Sequence, residues 1–332
     1  MALLFLTMKL ATQRAQNDLA TTPLYHLAKT YFAHVESNNA FSIQMLQAGI
    51  LIAAYEIGNA VYPAAYLTTG NCARLGHAMG IHDREAPQMI PKCTTWTEQE
   101  EKRRVWWGVL ILDIYVNTGH KYKPFATSEP RMDFHLPIDD TAWDRGEMLA
   151  AAPLALSASA AIRAAPFART CQSSHLLSRV IRHCNDRRLP FDFRFEEAAQ
   201  LDRTMRALAS VLPLEAQNDN PLEKPTLCSS MGLIYSALLN LYDAYSCTER
   251  VPDGVPETQV SMQALAIKGL KEVTNDVLAL VRRTKYFVET AGLDMVSPFV
   301  LDSFYQAGAT CNDAYLPAWV PGKLNSWQMH GI

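Results

Sequence analysis

Four groups of residues in this 332-residue chain carry side chains that could do chemistry. In CQSSHLLSRVIRHC, Cys171 and His175 stand four apart, a helical spacing that could turn both toward one ion, and His183 and Cys184 follow on nearby faces. A single helix rarely encloses a metal, so these are read as core and polar residues with no metal site. His77 and His82 stand five apart, which rotates them away from each other on a helix and predicts one surface residue and one helix-end residue. Carboxylates pair at Glu100–Glu101 and at Asp139–Asp140. General acid–base work there would need a pocket that raises a pKa, and acids in a first helical turn or beside a proline turn more often serve as caps. Finally, Arg179, Arg182, His183, Arg187 and Arg188 gather without interleaved aromatics, which predicts a solvated helix end, with a phosphate contact as the chemical alternative.

The familiar catalytic patterns GxSxG, P-loop, GxGxxG and HExxH are missing from these residues. No residue is therefore assigned a catalytic, cofactor-binding, metal-ligating or DNA-binding role. Net charge is −3, so no bulk basic field draws the chain to nucleic acid or anionic lipid. Half the residues (49%) are hydrophobic, ample material for a core, yet no window offers the ~20 uninterrupted apolar residues of a membrane span. Seven cysteines, none closer than thirteen residues to the next, suit reduced thiols rather than a disulfide framework, and exclude a CxxC zinc site.

The elements that must position these groups are helices. In FSIQMLQAGILIAAYEIG, Ile43, Leu46, Ile50, Ala54 and Ile57 recur at spacings of three and four, with Ser42 as a candidate cap. Leu201, Met205, Leu208 and Leu212 repeat the pattern, and Ile234, Leu238, Leu241 and Tyr245 lie on a segment apolar on most sides, suited to the middle of a bundle. The longest stripe runs Met262, Ala266, Leu270, Val273, Val277, Leu280, Thr284, and Pro298 stands where it can open the next helix. Glycines 70, 76 and 80 fall within a helical pattern and predict close helix packing. The opening residues, MALLFLTMKL, predict a first amphipathic helix. The expectation is an all-α fold of roughly ten helices.

One stretch, EKRRVWWGVLILD, packs charges against adjacent tryptophans. Trp106, Val109, Leu110 and Asp113 mark one side of a helix, while Trp107 and Ile111 widen its apolar surface and Gly108 leaves room for a neighbour. Burying two indoles removes about 150–250 Å² of each from water, so a core helix is expected rather than a stacking platform. Asp113 then needs a partner at the inner end of an apolar helix, and Lys121 and Lys123 stand nearest in sequence.

In order, ARLGHAMGIHD, WTEQEEKRRVWWGVLILD, KPFATSEP and LPIDDTAW resemble the middle homology region of fungal-specific transcription factors. Arg103, Arg104, Val105, Trp106 and Trp107 match that family's R-R-x-W-W core, Asp113 its helix aspartate, and Leu136–Pro137 its L-P signature. Tyr122, Lys123 and Pro124 replace its usual G-R-P loop. The resemblance implies a nuclear transcriptional regulator, often of a secondary-metabolite gene set, with Arg103, Arg104, Trp106, Trp107 and Asp113 as structural signature residues. It divides the chain into an extension over 1–19, one regulatory domain over 20–310 and an irregular tail over 311–332. The family's N-terminal zinc cluster has no counterpart in these residues, so the chain is expected to make no direct nucleic-acid contact. Its implied partners are a DNA-binding zinc-cluster protein or a second copy of itself, and a small-molecule effector. The alternative is an enzyme or small-molecule binder that reuses the helical scaffold.

Overall fold

Hydroxyl side chains and prolines set where many of the helices begin. Thr22 accepts from the Tyr25 amide at 3.2 Å ahead of Pro23, and Ser42 accepts from the Met45 amide at 3.2 Å, as its position predicts. Thr95 and Glu98 form a capping box in front of the tryptophan helix. In the computed structural model, residues 1–13, 21–83, 85–87, 89, 91–119, 123–147, 152–186, 190–217, 227–246, 257–292 and 296–310 are described. The tail expected over 311–332 lies outside them, as do Lys121, Tyr122, Arg187 and Arg188.

Among the described residues the chain forms eleven α-helices and no strand, so the all-α expectation holds. It groups into two units, Met1–Leu156 and a second that starts at Ser157. In the first are α1 (Ala2–Ala11), α2 (Pro23–Ser37), α3 (Ile43–Gly58), α4 (Tyr62–Met79), α5 (Trp96–Val116) and the short α6 (Asp140–Asp144). Helix α3 packs against α1, α2, α4 and α5. Its buried face carries Met45, Leu46, Ala48, Ile52, Ala53 and Ile57; Leu46 and Ile57 of the predicted stripe lie on it, while Ile43, Ile50 and Ala54 are only half-buried. Between α2 and α3, the Glu56 carboxylate is fully buried and accepts from the Tyr25 hydroxyl at 2.8 Å and pairs with Lys29 at 3.0 Å.

The glycines of α4 part ways. A Cβ on Gly76 would sit 2.6 Å from the Trp106 ring, so the close approach predicted there is real. Gly70 faces open space, and Gly80 ends the helix in the left-handed region at φ 73°, where a side chain would be strained. Gly108 is not a close-packing device either: a Cβ there would meet Ile50 at an ordinary 3.5 Å.

The second unit holds α7 (Pro166–Asn185), α8 (Phe191–Gln217), α9 (Cys228–Ser246), α10 (Glu257–Ala291) and α11 (Leu301–Thr310), with a 3-10 turn over Pro298–Val300 ahead of α11. Helix α9 takes the central place its all-round apolar sequence predicts, against α7, α8, α10 and α11. Thr170 and Ser230 meet at 3.0 Å between α7 and α9, and the Tyr242 hydroxyl donates to Asp202 of α8 at 2.5 Å. Gly269 lets α10 lie on the Tyr242 ring, where a Cβ would fall 2.5 Å from it. The α8 stripe Leu201, Met205, Leu208, Leu212 is buried throughout, as is that of α10 apart from the half-buried Leu270.

Candidate functional site

Helix α5 gathers the signature residues of the sequence. Its first turns are charged and its last three turns apolar, so the helix enters from solvent and ends inside, with Val105–Val116 buried at every position but Gly108. At the junction Glu100 is fully buried. It pairs with Arg103 and Arg104 and accepts from the Ile138 amide at 2.9 Å. Arg104 in turn donates to the Ile138 carbonyl at 3.0 Å and pairs with Asp140 at 2.9 Å, its guanidinium lying 5.0 Å over the Trp143 ring. The two side chains thus satisfy both polar groups of a single backbone residue. Glu100 is therefore an internal anchor rather than a helix-start cap. A buried carboxylate with two cations and an amide has its charge compensated. Asp139 does cap, accepting from the Ala142 amide at 2.9 Å at the start of α6.

The segment this anchor holds is the Leu-Pro signature. Leu136 and Pro137 are buried. The Leu136 amide donates to Leu154 at 2.8 Å and the Leu156 amide to Phe134 at 2.8 Å, flanking a lone antiparallel bridge between His135 and Ala155. Trp107 closes the arrangement: 0% exposed, it donates its indole N–H to the His135 carbonyl at 2.9 Å and meets Phe134 edge-on. The expectation of an interior tryptophan pair holds, since Trp106 is only 2% exposed.

Trp106 faces two imidazoles. The His77 ring lies 5.2 Å from it and the His82 ring 6.0 Å, and the two histidines are 4.4 Å apart. Their five-residue spacing predicts separation, but the helical wheel stops at Gly80. The left-handed turn there carries Ile81 and His82 back over the last turn of α4, with the Ile81 amide donating to Gly76 at 3.2 Å. Burial lowers the pKa of His77, and His82 and Arg74 push the same way, against the Ala126 backbone and Asp113.

Asp113 is 1% exposed, and its partners come from the loop after α5. Its carboxylate accepts from the Ala126 amide at 3.2 Å, the Thr127 amide at 2.8 Å and the Thr127 hydroxyl at 2.7 Å. Of the two lysines expected to answer it, Lys123 places its ammonium 5.1 Å over the Tyr66 ring, and Lys121 lies outside the described residues.

In the second unit the two histidines weighed as metal ligands, and read as core and polar residues, take different roles. His175 is 4% exposed with neither ring nitrogen bonded, and burial with nearby Arg179 and Arg182 lowers its pKa to about 4. His183 is not on a solvated helix end. It is buried, with one ring nitrogen 2.7 Å from Glu197 of α8 and the other 2.7 Å from the Tyr245 hydroxyl of α9, so one imidazole joins three helices. Burial raises the Tyr245 pKa to about 12, so the phenol stays protonated. Arg179 pairs with the same Glu197 at 3.7 Å. Among the described residues no three His, Cys, Asp or Glu side chains gather to hold a metal ion. Nor is any described helix long and apolar enough to cross a membrane.

Sequence reasoning missed Arg169, the largest charged side chain among those fully buried. It is 0% exposed, holds Glu215 at 2.6 and 2.9 Å, and donates to the Ala160 and Ile162 carbonyls at 3.0 and 2.8 Å. No local spacing announces it. Glu100 could have been found, because it precedes Arg103 and Arg104 by three and four residues, the two ion-pairing separations of a helix.

Comparison with known proteins agrees with these features. Residues 1–149 match the fungal specific transcription factor domain, a span that takes in α1 through α6. Transcription factor BOA15 of Botryotinia fuckeliana is 42% identical over 104 residues, 31% of this chain and 58% of that protein. The citrinin biosynthesis transcriptional activator mrl3 of Monascus ruber is 30% identical over 114 residues, 34% of this chain and 22% of the relative. The azaphilone cluster-specific transcription factor azaR of Aspergillus niger aligns over 290 residues at 23% identity, 80% of this chain and 59% of the relative. The chain thus spans about three fifths or less of the length of these curated relatives. The matches are to transcription factors, which are not enzymes. No solved structure matches the chain.

Proposed function

We propose that this chain, which carries a fungal specific transcription factor domain in residues 1–149, regulates transcription of a secondary-metabolite gene set in the nucleus. The observation that carries the reading is the coincidence of sequence and geometry in the first unit. Of the residues that match the family's ordered signatures, Arg104, Trp107, Asp113 and Leu136–Pro137 interlock α5 with the segments following it, Arg103 pairs with the buried Glu100, and Trp106 packs against α4. Relatives named for citrinin and azaphilone biosynthesis support the choice of target genes.

The signature residues are structural in this reading. They make no chemistry of their own and present no basic face to DNA, in keeping with a net charge of −3. Regulation then works through helix contacts with a DNA-binding zinc-cluster partner or a second copy, or through a small-molecule effector that biases them. Deleting the gene in its native host and profiling transcripts under producing conditions tests it. A co-ordinate change in one set of biosynthetic transcripts is expected; an unchanged profile overturns the proposal.

A further inference from the structure

We infer that the outer face of α1 is a self-association surface, on which a second copy of this chain lays its own α1 antiparallel, with Phe5 of each copy against Met8 of the other. This gives a surface to the second copy named above as a partner. It rests on the regulatory reading only for the use of the dimer, since the association itself is measured on the purified chain.

Eight of the ten residues of α1, ALLFLTMKLA, are apolar, more than one buried face can use. The side laid on α3 and α2 carries Leu3, Thr7 and Leu10, at spacings of four and three, all buried. The opposite side carries Met1, Phe5 and Met8 at the same spacings, 73%, 61% and 48% exposed. The helix thus buries a threonine between two leucines and leaves its largest apolar side chains in water, the reverse of what burial of apolar area favours. A helix apolar on opposite sides has the pattern of one covered on both.

Charge and spacing select a second copy as the cover. The helix has no acid, and its single charge, Lys9, stands at the edge of the outer face, so two copies meet without like charges at the centre. Met1, Phe5, Met8 and Thr12, all exposed, follow at spacings of four, three and four, the alternation of a helix-pairing seam. About a two-fold axis residue i contacts j and j contacts i. In the antiparallel arrangement Phe5 therefore meets Met8 of the second copy twice over, and Met1 meets Thr12. Sulfur against an aromatic ring is a favourable contact, and methionine adapts its shape to such a surface. On the flanks the exposed Ala2 and Ala11 are small enough to let the helices close, and Lys9 can lay its stem along the half-buried Leu4 of the second copy with its ammonium in water. Burying a phenylalanine removes about 150–250 Å² from water, so with the two methionines the seam covers a few hundred Å² per copy. That is the size of a functional apolar patch and the low end for an interface, which makes the dimer a transient one.

Sedimentation of the tag-free full chain over a micromolar concentration series tests the surface. The average mass is expected to climb from one chain toward two. Phe5→Glu and Met8→Lys, both at exposed positions, should each weaken dimerisation at least tenfold while leaving the melting temperature of the dilute monomer in place. Combined in one chain they should restore part of it, because each introduced carboxylate then faces an introduced ammonium across the axis, which a parallel pairing would not provide. A mass that stays at one chain throughout, a dimer untouched by the single changes, or a double variant no stronger than either alone would each overturn the inference. None of these results bears on the transcript profile, which tests the regulatory reading separately.

Discussion

Asp113 and Thr127 are joined twice, the Oδ2 oxygen of the aspartate accepting from the threonine amide at 2.8 Å and from its hydroxyl at 2.7 Å. Fourteen residues separate them, so the buried end of α5 specifies the path of the loop that leaves it. Asp113→Asn keeps the shape but removes the charge and turns a donor toward other donors. Hydrogen bonds to a charged group contribute about 1.5–3 kcal/mol each, and a loss of about 2–3 kcal/mol in urea unfolding is expected. A variant with unchanged midpoint and slope would refute the pairing.

Gly76 and Trp106 offer a second check. Adding a methyl at Gly76 forces it against the indole face, where the ideal Cβ lies 2.6 Å from a ring carbon. Overpacking of this kind costs about 1–3 kcal/mol. Gly76→Ala should therefore lower the thermal midpoint, and the loss should shrink when combined with Trp106→Leu, which vacates the space. Strict additivity of the two changes would show that they do not touch.

Acid sensitivity should trace partly to His175. Its folded pKa of about 4 lies below the ordinary value of 6.5, so the unfolded chain binds a proton that the folded chain refuses. Stability is then complete above pH 6.5 and is lost as pH falls toward 4, by about 3 kcal/mol at most. In His175→Leu the stability-versus-pH curve should be flatter between pH 6.5 and 4. The half-buried His77 tilts the curve in the same direction.

Asp302 works with the opposite sign. Burial raises its pKa from 3.8 to about 6, while the hydrogen bond from Gln306 works against the rise. The folded chain therefore holds this proton more tightly than the unfolded one, and ionising it above pH 6 costs stability that is not lost below pH 3.8. Asp302→Asn is expected to stabilise the protein at pH 7.5 by about 1–3 kcal/mol and to change little at pH 3.5. Equal effects at the two pH values would contradict the burial.

What periodicity can encode, it did encode. The stripes of α8 and α10, the Ser42 cap and the interior tryptophan pair all follow from spacing and from the cost of leaving apolar surface in water. Interactions that cross between elements escaped it. His183 looks like a helix-end charge until Glu197 and Tyr245, 14 and 62 residues away, arrive at its two nitrogens. His77 and His82 look divergent on a wheel, because a wheel assumes that the helix continues past Gly80. Glu100 passed for a cap because local acids usually are, and the amide it serves lies 38 residues on.

That last separation has a bearing on synthesis. As α5 leaves the ribosome, Glu100 has its two arginines, but the Ile138 amide and the His135 carbonyl awaited by Trp107 have yet to be translated. Trp106 can already meet α4, but the Trp107 indole lacks its partners until about forty more residues emerge, at 5–20 residues per second roughly two to eight seconds. Over that interval the Trp107 indole is an apolar handle for chaperones, and a stalled or prematurely ended message would leave it so.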